Sequence, residues 1–266
     1  MTFSRPARIA LRMAMILGLA VIYLPLLVVV INSLNRSRTF GWPPSGLTLD
    51  WWHKAAQSTG LREALLASLL VGLGATAIAL LLGTMLAFAV ARYRFFGRQA
   101  VSLLVVLPIA LPGIVTGIAL NSAFTAFGVP FGYLTVIIGH ATFCIVVVHN
   151  NVLARLRRVG TSLEEASMDL GANSFRTFWL ITLPQLKSSL VAGALLAFAL
   201  SFDEIVVTTF TTSPGLRTLP IWIFDNLFRP NQAPVVNVAA AALILLSLLP
   251  IWASQRLSSD PAGGRI

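Results

Sequence analysis

Apolar residues in this chain are gathered into long blocks separated by polar stretches. The blocks fall at residues 13–31, 64–91, 100–120, 133–154, 188–210 and 235–253. Each matches the roughly 20 helical residues that a bilayer core requires, so the pattern predicts an all-α membrane protein with six transmembrane helices. The first block follows Arg5, Arg8 and Arg12. It exceeds the apolar core of a signal peptide and no small-x-small site follows it, so a retained helix is expected. Its Pro25 is tolerable in a membrane, where neighbours re-satisfy the freed carbonyl. The third block is broken by Pro108 and Pro112 and carries Gly113-x-x-x-Gly117, a spacing that permits close helix contact. Between the first two blocks lie Trp42, Trp51 and Trp52, a residue type that favours the headgroup level. Thr48 ahead of Asp50 predicts a short interfacial helix there. A second short helix is expected over 219–228.

Composition agrees. The 266 residues are 57% apolar and 11% charged, against roughly a quarter charged in soluble domains. The mean hydropathy is +0.85. No room remains for a large soluble catalytic domain. The net charge of +10 reflects topology. With both termini cytoplasmic, thirteen basic residues lie on inner segments and six on outer ones, as the positive-inside rule asks. A nucleic-acid partner is not needed to explain them.

Several chemistries are excluded by counting. The single Cys144 allows neither an internal disulfide nor a thiolate cluster. His140 and His149 lie on opposite faces of one helix, while His140 and Cys144 share a face, a pattern that fits polar packing. Lys54 and Lys187 follow His53 and Leu186, so no phosphate-binding Gly-Lys-Ser/Thr loop exists. The chain has no nucleophile–base pair and no metal set. It reads as no enzyme and as having no ATPase site of its own.

The polar segment 155–187 is the most informative. Ser162-Leu163-Glu164-Glu165 has the form of a capping box, predicting a helix over 163–170 that Gly171 ends in a left-handed cap. Ser174 offers an N-cap for a second helix over 175–181. Phe175, Phe178, Trp179 and Ile181 are too apolar for a solvated loop and call for a partner or the membrane interface.

Here the chain resembles a known family. Glu165-Ala166-Ser167, then Gly171, then Ile181-Thr182-Leu183-Pro184 is similar to the EAA signature of permease subunits of bacterial ABC importers. Ser167 stands where the family usually has Ala. Three further stretches resemble permeases of spermidine/putrescine-type importers: 139–144, 201–207, and Thr218-Leu219-Pro220 followed by Arg229, Pro234 and Asn237. The resemblance implies a type I importer permease (MetI-like) fold in the bacterial inner membrane. It implies that Glu165, Ala166, Ser167, Gly171, Ile181, Leu183 and Pro184 belong to a coupling helix that docks in a groove of a separate ATP-binding subunit. The implied partners are two such subunits, which hold ATP and Mg, a second and distinct permease, an extracytoplasmic solute-binding protein and the lipid bilayer. This chain itself would bind no cofactor. The implied solute is a small cation such as putrescine or spermidine.

Asp203 and Glu204 stand in the fifth block without a basic neighbour. A carboxylate at the middle of a membrane helix costs about 2.5–3.5 kcal/mol, so the pair should face protein or water. One reading makes it a cation-attracting wall of the translocation path, with His140 as a further candidate. The other makes it structural, satisfied by hydroxyls such as Thr208 or by an arginine of the partner permease. A stand-alone proton-coupled carrier using the two carboxylates is the rival to the importer.

Overall fold

The structure, a computed structural model, describes residues 4–38, 42–229 and 231–258, with side chains as far as residue 246. Arg265 and the other terminal residues lie outside this range. Among the described residues all regular structure is helical, apart from one bridge between Asn35 and Leu47. The helices are α1 (Arg5–Ser33), α2 (Asp50–Gln57), α3 (Thr59–Arg92), α4 (Arg98–Ala110), α5 (Gly113–Ala126) and α6 (Tyr133–Val159). They continue with α7 (Ser162–Asp169), α8 (Ser174–Thr177), α9 (Leu183–Phe202), α10 (Val206–Thr211), α11 (Leu219–Leu227) and α12 (Ala233–Ser258). Two compact units separate: Met1–Arg62 with Trp222–Ile266, and Glu63–Ile221.

In the first unit α1 lies against α12, and α2 packs on α12. The helix α1 begins eight residues before its apolar block, helped by Pro6 in its first turn. Pro25 does not end it. None of its most apolar stretch is buried within the chain, so lipid or another subunit must cover it. The polar loop beyond α1 is tied by Asn35. Its Oδ1 accepts the N–H groups of Ser37 and Ser45, both at 3.1 Å. Its carbonyl accepts the Trp51 indole N–H at 3.0 Å. Trp51 is therefore buried, a post for the loop rather than an exposed headgroup anchor. Thr48 accepts the Asp50 N–H at 3.2 Å just ahead of α2, but the N-cap is Leu49 and no side chain caps the helix.

The second unit is built on α3, α6 and α9. Their shared core joins Ala75, Ala79, Ala87 and Val90 to Cys144, Val148 and Leu156, and to Leu186 and Ala197. Small residues on α3 and α9 let backbones approach where lipid supplies no hydrophobic drive. The third block is two helices, α4 and α5, bent by 106°. The break falls at Leu111, which is extended (φ −80, ψ 144) ahead of Pro112. A proline disfavours the helical conformation in the residue before it. Pro108, by contrast, stays inside α4. A β-carbon on Gly117 would lie 2.5 Å from the Phe210 ring, so glycine is what allows α5 to lie on α10.

The fifth block departs furthest from expectation. The short helix α8 does not stop before the span. It continues through a five-residue π turn, Phe178–Thr182, into α9, giving one 29-residue rod from Ser174 to Phe202. Pro184 falls at the start of α9, where the hydrogen-bond ladder changes register and a missing N–H is tolerated. The rod ends at Phe202, eight residues before the end of the block, and α10 is a separate helix. Among the described residues four helices are long and apolar enough to cross a membrane, and the bent pair α4–α5 makes a fifth candidate. The helix α12 runs for 26 residues, Ala233–Ser258, and carries the sixth apolar block.

Candidate functional site

Two places gather the residues singled out by sequence. The first is the turn formed by α7, α8 and the π segment. The expected capping box is not formed. Thr161 is the N-cap, Ser162 is already helical, and no side chain caps the helix. Glu165 and Ala166 are exposed on α7. The neighbouring Glu164 is the anchor instead. Its Oε1 accepts Arg92 Nη2 at 2.9 Å and the Thr182 hydroxyl at 3.0 Å. Arg92 also donates to the Gly160 carbonyl at 2.7 Å. The ion pair is only 16% and 15% exposed, which places it above the surface pairs that contribute almost nothing.

The far end of α7 folds as its glycine demands. Gly171 has φ +87. Its N–H bonds the Met168 carbonyl and the Ala172 N–H bonds the Ser167 carbonyl, the two bonds of a Schellman cap. The Ser167 side chain, where the resembled family has Ala, lies 3.1 Å from the Thr177 hydroxyl and so links α7 to α8. The N-cap of α8 is Asn173, which accepts the Arg176 N–H at 2.8 Å; Ser174 is the first helical residue. Ile181 and Leu183 are half-buried and Pro184 is exposed. Phe178 turns inward, edge-on to Phe88 at 5.4 Å. Leu163, Met168, Leu170, Phe175 and Trp179 are left as exposed apolar groups on the turn.

The second place is the break between α9 and α10. Asp203 caps α9 and is exposed, while Glu204 is half-buried. The two are therefore not successive positions of a continuous helix. Glu204 Oε1 accepts the Val207 N–H at 2.8 Å and so caps α10. The Glu204 carbonyl accepts the Thr208 hydroxyl at 2.8 Å. His140, fully buried on α6, reaches across the break. Its Nδ1 lies 2.7 Å from Ser201 Oγ on α9, and its Nε2 lies 2.8 Å from Thr208 Oγ1 on α10. In either tautomer one ring nitrogen donates and the other accepts, so His140 joins the Ser201 and Thr208 hydroxyls across the break.

Beside the break is a cavity of about 230 Å³ lined by Glu204, Leu200, Val207, Phe143 and Thr116, and by Pro108, Ile109, Leu111 and Gly113 around the α4–α5 break. Two interrupted helices thus border one hollow, and Glu204 is its single charged wall. Non-helical backbone at membrane depth is tolerated where it lines such a space. Among the described residues no three His, Cys, Asp or Glu side chains gather as metal ligands.

Residues 79–260 match the family described as the binding-protein-dependent transport system inner membrane component. The spermidine/putrescine transport system permease protein PotC of Escherichia coli K12 is 34% identical over 245 residues, covering 92% of each chain. The putrescine transport system permease protein PotI of the same strain is 34% identical, covering 87% of this chain and 84% of that one. A putative 2-aminoethylphosphonate permease protein, PhnV of Salmonella typhi, is 31% identical. In fold, the chain superposes with TM-score 0.74 on a chain of a bacterial ABC transporter involved in import of the acidic polysaccharide alginate. The identity is 16%, with 97% of this chain and 100% of the other covered. Similarity over 92% of the chain, the family match over residues 79–260 and the long apolar helices lead to one conclusion: the chain belongs to the binding-protein-dependent transport system inner membrane component family, the permease subunits of ABC importers.

Proposed function

We propose that this permease carries a polyamine such as putrescine or spermidine inward, as one half of a pore whose other half is a distinct permease. The observation that carries the reading is the 34% identity, over 92% of both chains, to a spermidine/putrescine permease. The solute named for the PhnV relative bears an amine beside a phosphonate, so an amine is shared by the solutes named for these three sequence relatives. Glu204 at the hollow beside two broken helices supplies the matching charge. Asp203, exposed at the end of α9 and outside the hollow's lining, adds a second carboxylate beside the break, and His140 holds the break in place. Attraction must stay modest, because a site that binds too tightly cannot release.

In the same reading the chain spans the membrane six times with both termini cytoplasmic, and the α7–α8 turn docks on an ATP-binding subunit. The exposed Glu165, Ala166 and Gly171 and the apolar groups around them form the docking face. Two ATP-binding subunits holding ATP and Mg, and an extracytoplasmic binding protein, complete the assembly. The basic residues of the inner segments and the absence of a phosphate-binding loop support this arrangement. Mild-detergent purification of the tagged chain, followed by reconstitution with its co-purifying subunits, tests it. Uptake of labelled putrescine should require ATP and persist when a protonophore collapses the proton gradient. Uptake that follows the gradient and ignores ATP would overturn it.

A further inference from the structure

A second polar hollow lies at the other end of the same unit, away from the acidic break in the chain. It has a volume of about 560 Å³ and is lined by Arg98, Gln99 and Ser102 from the first turns of α4, by Arg157 from the last turn of α6, and by Val90 and Leu103. Two guanidinium groups, an amide and a hydroxyl face it, and no carboxylate does. Neither Arg98 nor Arg157 has an ion pair or a side-chain hydrogen bond among the described residues, whereas nearby Arg92 is committed to Glu164. Two unneutralised arginines beside one cleft repel each other, so the cleft suits an anion. Arginine forks match phosphate oxygens in particular.

The apolar side of the cleft identifies the source of that phosphate. Leu103 lines it while remaining 74% exposed. Leu107, one turn further along α4, is exposed on the same face. No residue of α4 is buried. The basic cleft therefore opens onto an apolar strip running along the helix, the arrangement of a headgroup above its acyl chains. A free phosphate would need the cleft and make no use of the strip. The charge pattern puts Arg92, Arg94, Arg98 and Arg157 on the cytoplasmic side, where anionic lipids give the leaflet its negative potential. We infer that the cleft between the start of α4 and the end of α6 is a binding site for an anionic phospholipid, its phosphate held by Arg98 and Arg157 and its chains lying along Leu103 and Leu107.

The test uses the assembled transporter with Cys144→Ser and Leu107→Cys in this chain, labelled with bimane and reconstituted in phosphatidylcholine vesicles. Dibrominated phosphatidylglycerol or dibrominated phosphatidylcholine is then added as quencher. A pair of basic residues at a membrane surface, each contributing about fivefold, predicts a roughly 25-fold preference for quenching by phosphatidylglycerol. Arg98→Gln with Arg157→Gln should abolish the preference, and Arg98→Lys with Arg157→Lys should keep most of it. Equal quenching by the two lipids in the unsubstituted cleft would overturn the inference, as would a preference that survives the Gln pair. Loss of the preference on adding millimolar inorganic phosphate at constant ionic strength would also overturn it, by making the cleft a free-phosphate site.

Discussion

Glu164 accepts hydrogen bonds from Arg92 and Thr182, groups that the chain order keeps 72 and 18 positions away. Sequence pattern drew attention to Glu165, because a local signature contains it. The partner of Glu164 lies at the end of another span, and no local spacing reveals that. A mostly buried, charge-assisted hydrogen bond contributes about 1.5–3 kcal/mol. Glu164→Gln and Arg92→Gln should therefore show a coupling of that size in a double-mutant cycle on detergent-solubilised stability. Strictly additive effects would show that the pair does not hold α7. His140 teaches the same lesson. Its face was legible, but its two hydroxyl partners lie 61 and 68 residues on. Thr208→Val, matched in shape, would leave His140 Nε2 and the Glu204 carbonyl each without its hydroxyl partner. A buried unpaired polar group costs about 1–3 kcal/mol, so the thermal midpoint should fall, and Thr208→Ser should restore it. A Val variant as stable as the parent would contradict the network.

At the scale of elements, the apolar blocks located the helices because membrane spans are fixed by length and hydropathy. The bend at Pro112 and the left-handed cap at Gly171 were legible for the same local reason: those residues restrict or free the backbone wherever they stand. The break at residues 203–205 carries no proline or glycine. It is held by the His140 bridge and the Glu204 cap, which are tertiary contacts. The π turn was equally invisible, since nothing in Phe178–Thr182 marks a change of register. Its consequence is mechanical. The rod from Ser174 to Phe202 joins the α7–α8 turn directly to the acidic break. Deleting Leu180 would restore an α register and rotate one end of the rod by about 100° relative to the other. The expected result is a chain that still inserts and assembles, with ATP hydrolysis no longer stimulated by loaded binding protein. Normal stimulation would mean that the rod does not transmit the stroke.

For the whole molecule, the topology and the solute are the claims that matter. Single cysteines at Gly160 and Ser45, with Cys144 replaced by Ser, should react oppositely with an impermeant maleimide added to intact cells. Ser45 is expected to label and Gly160 to stay protected until the cells are opened; the reverse pattern would invert the arrangement. The place of the solute's path rests on the two carboxylates at the break. Asp203→Asn and Glu204→Gln keep shape and remove both carboxylates, so they separate electrostatics from packing. In a low-dielectric path a carboxylate's pull on a passing ammonium is far stronger than in water. The most direct measurement is putrescine uptake per assembled complex in proteoliposomes, parent against the double variant, at equal binding-protein loading. The account predicts normal assembly with uptake reduced by about tenfold or more, equivalent to roughly 1.4 kcal/mol or more of lost barrier stabilisation. Full uptake by the double variant would contradict a cation path along Asp203 and Glu204.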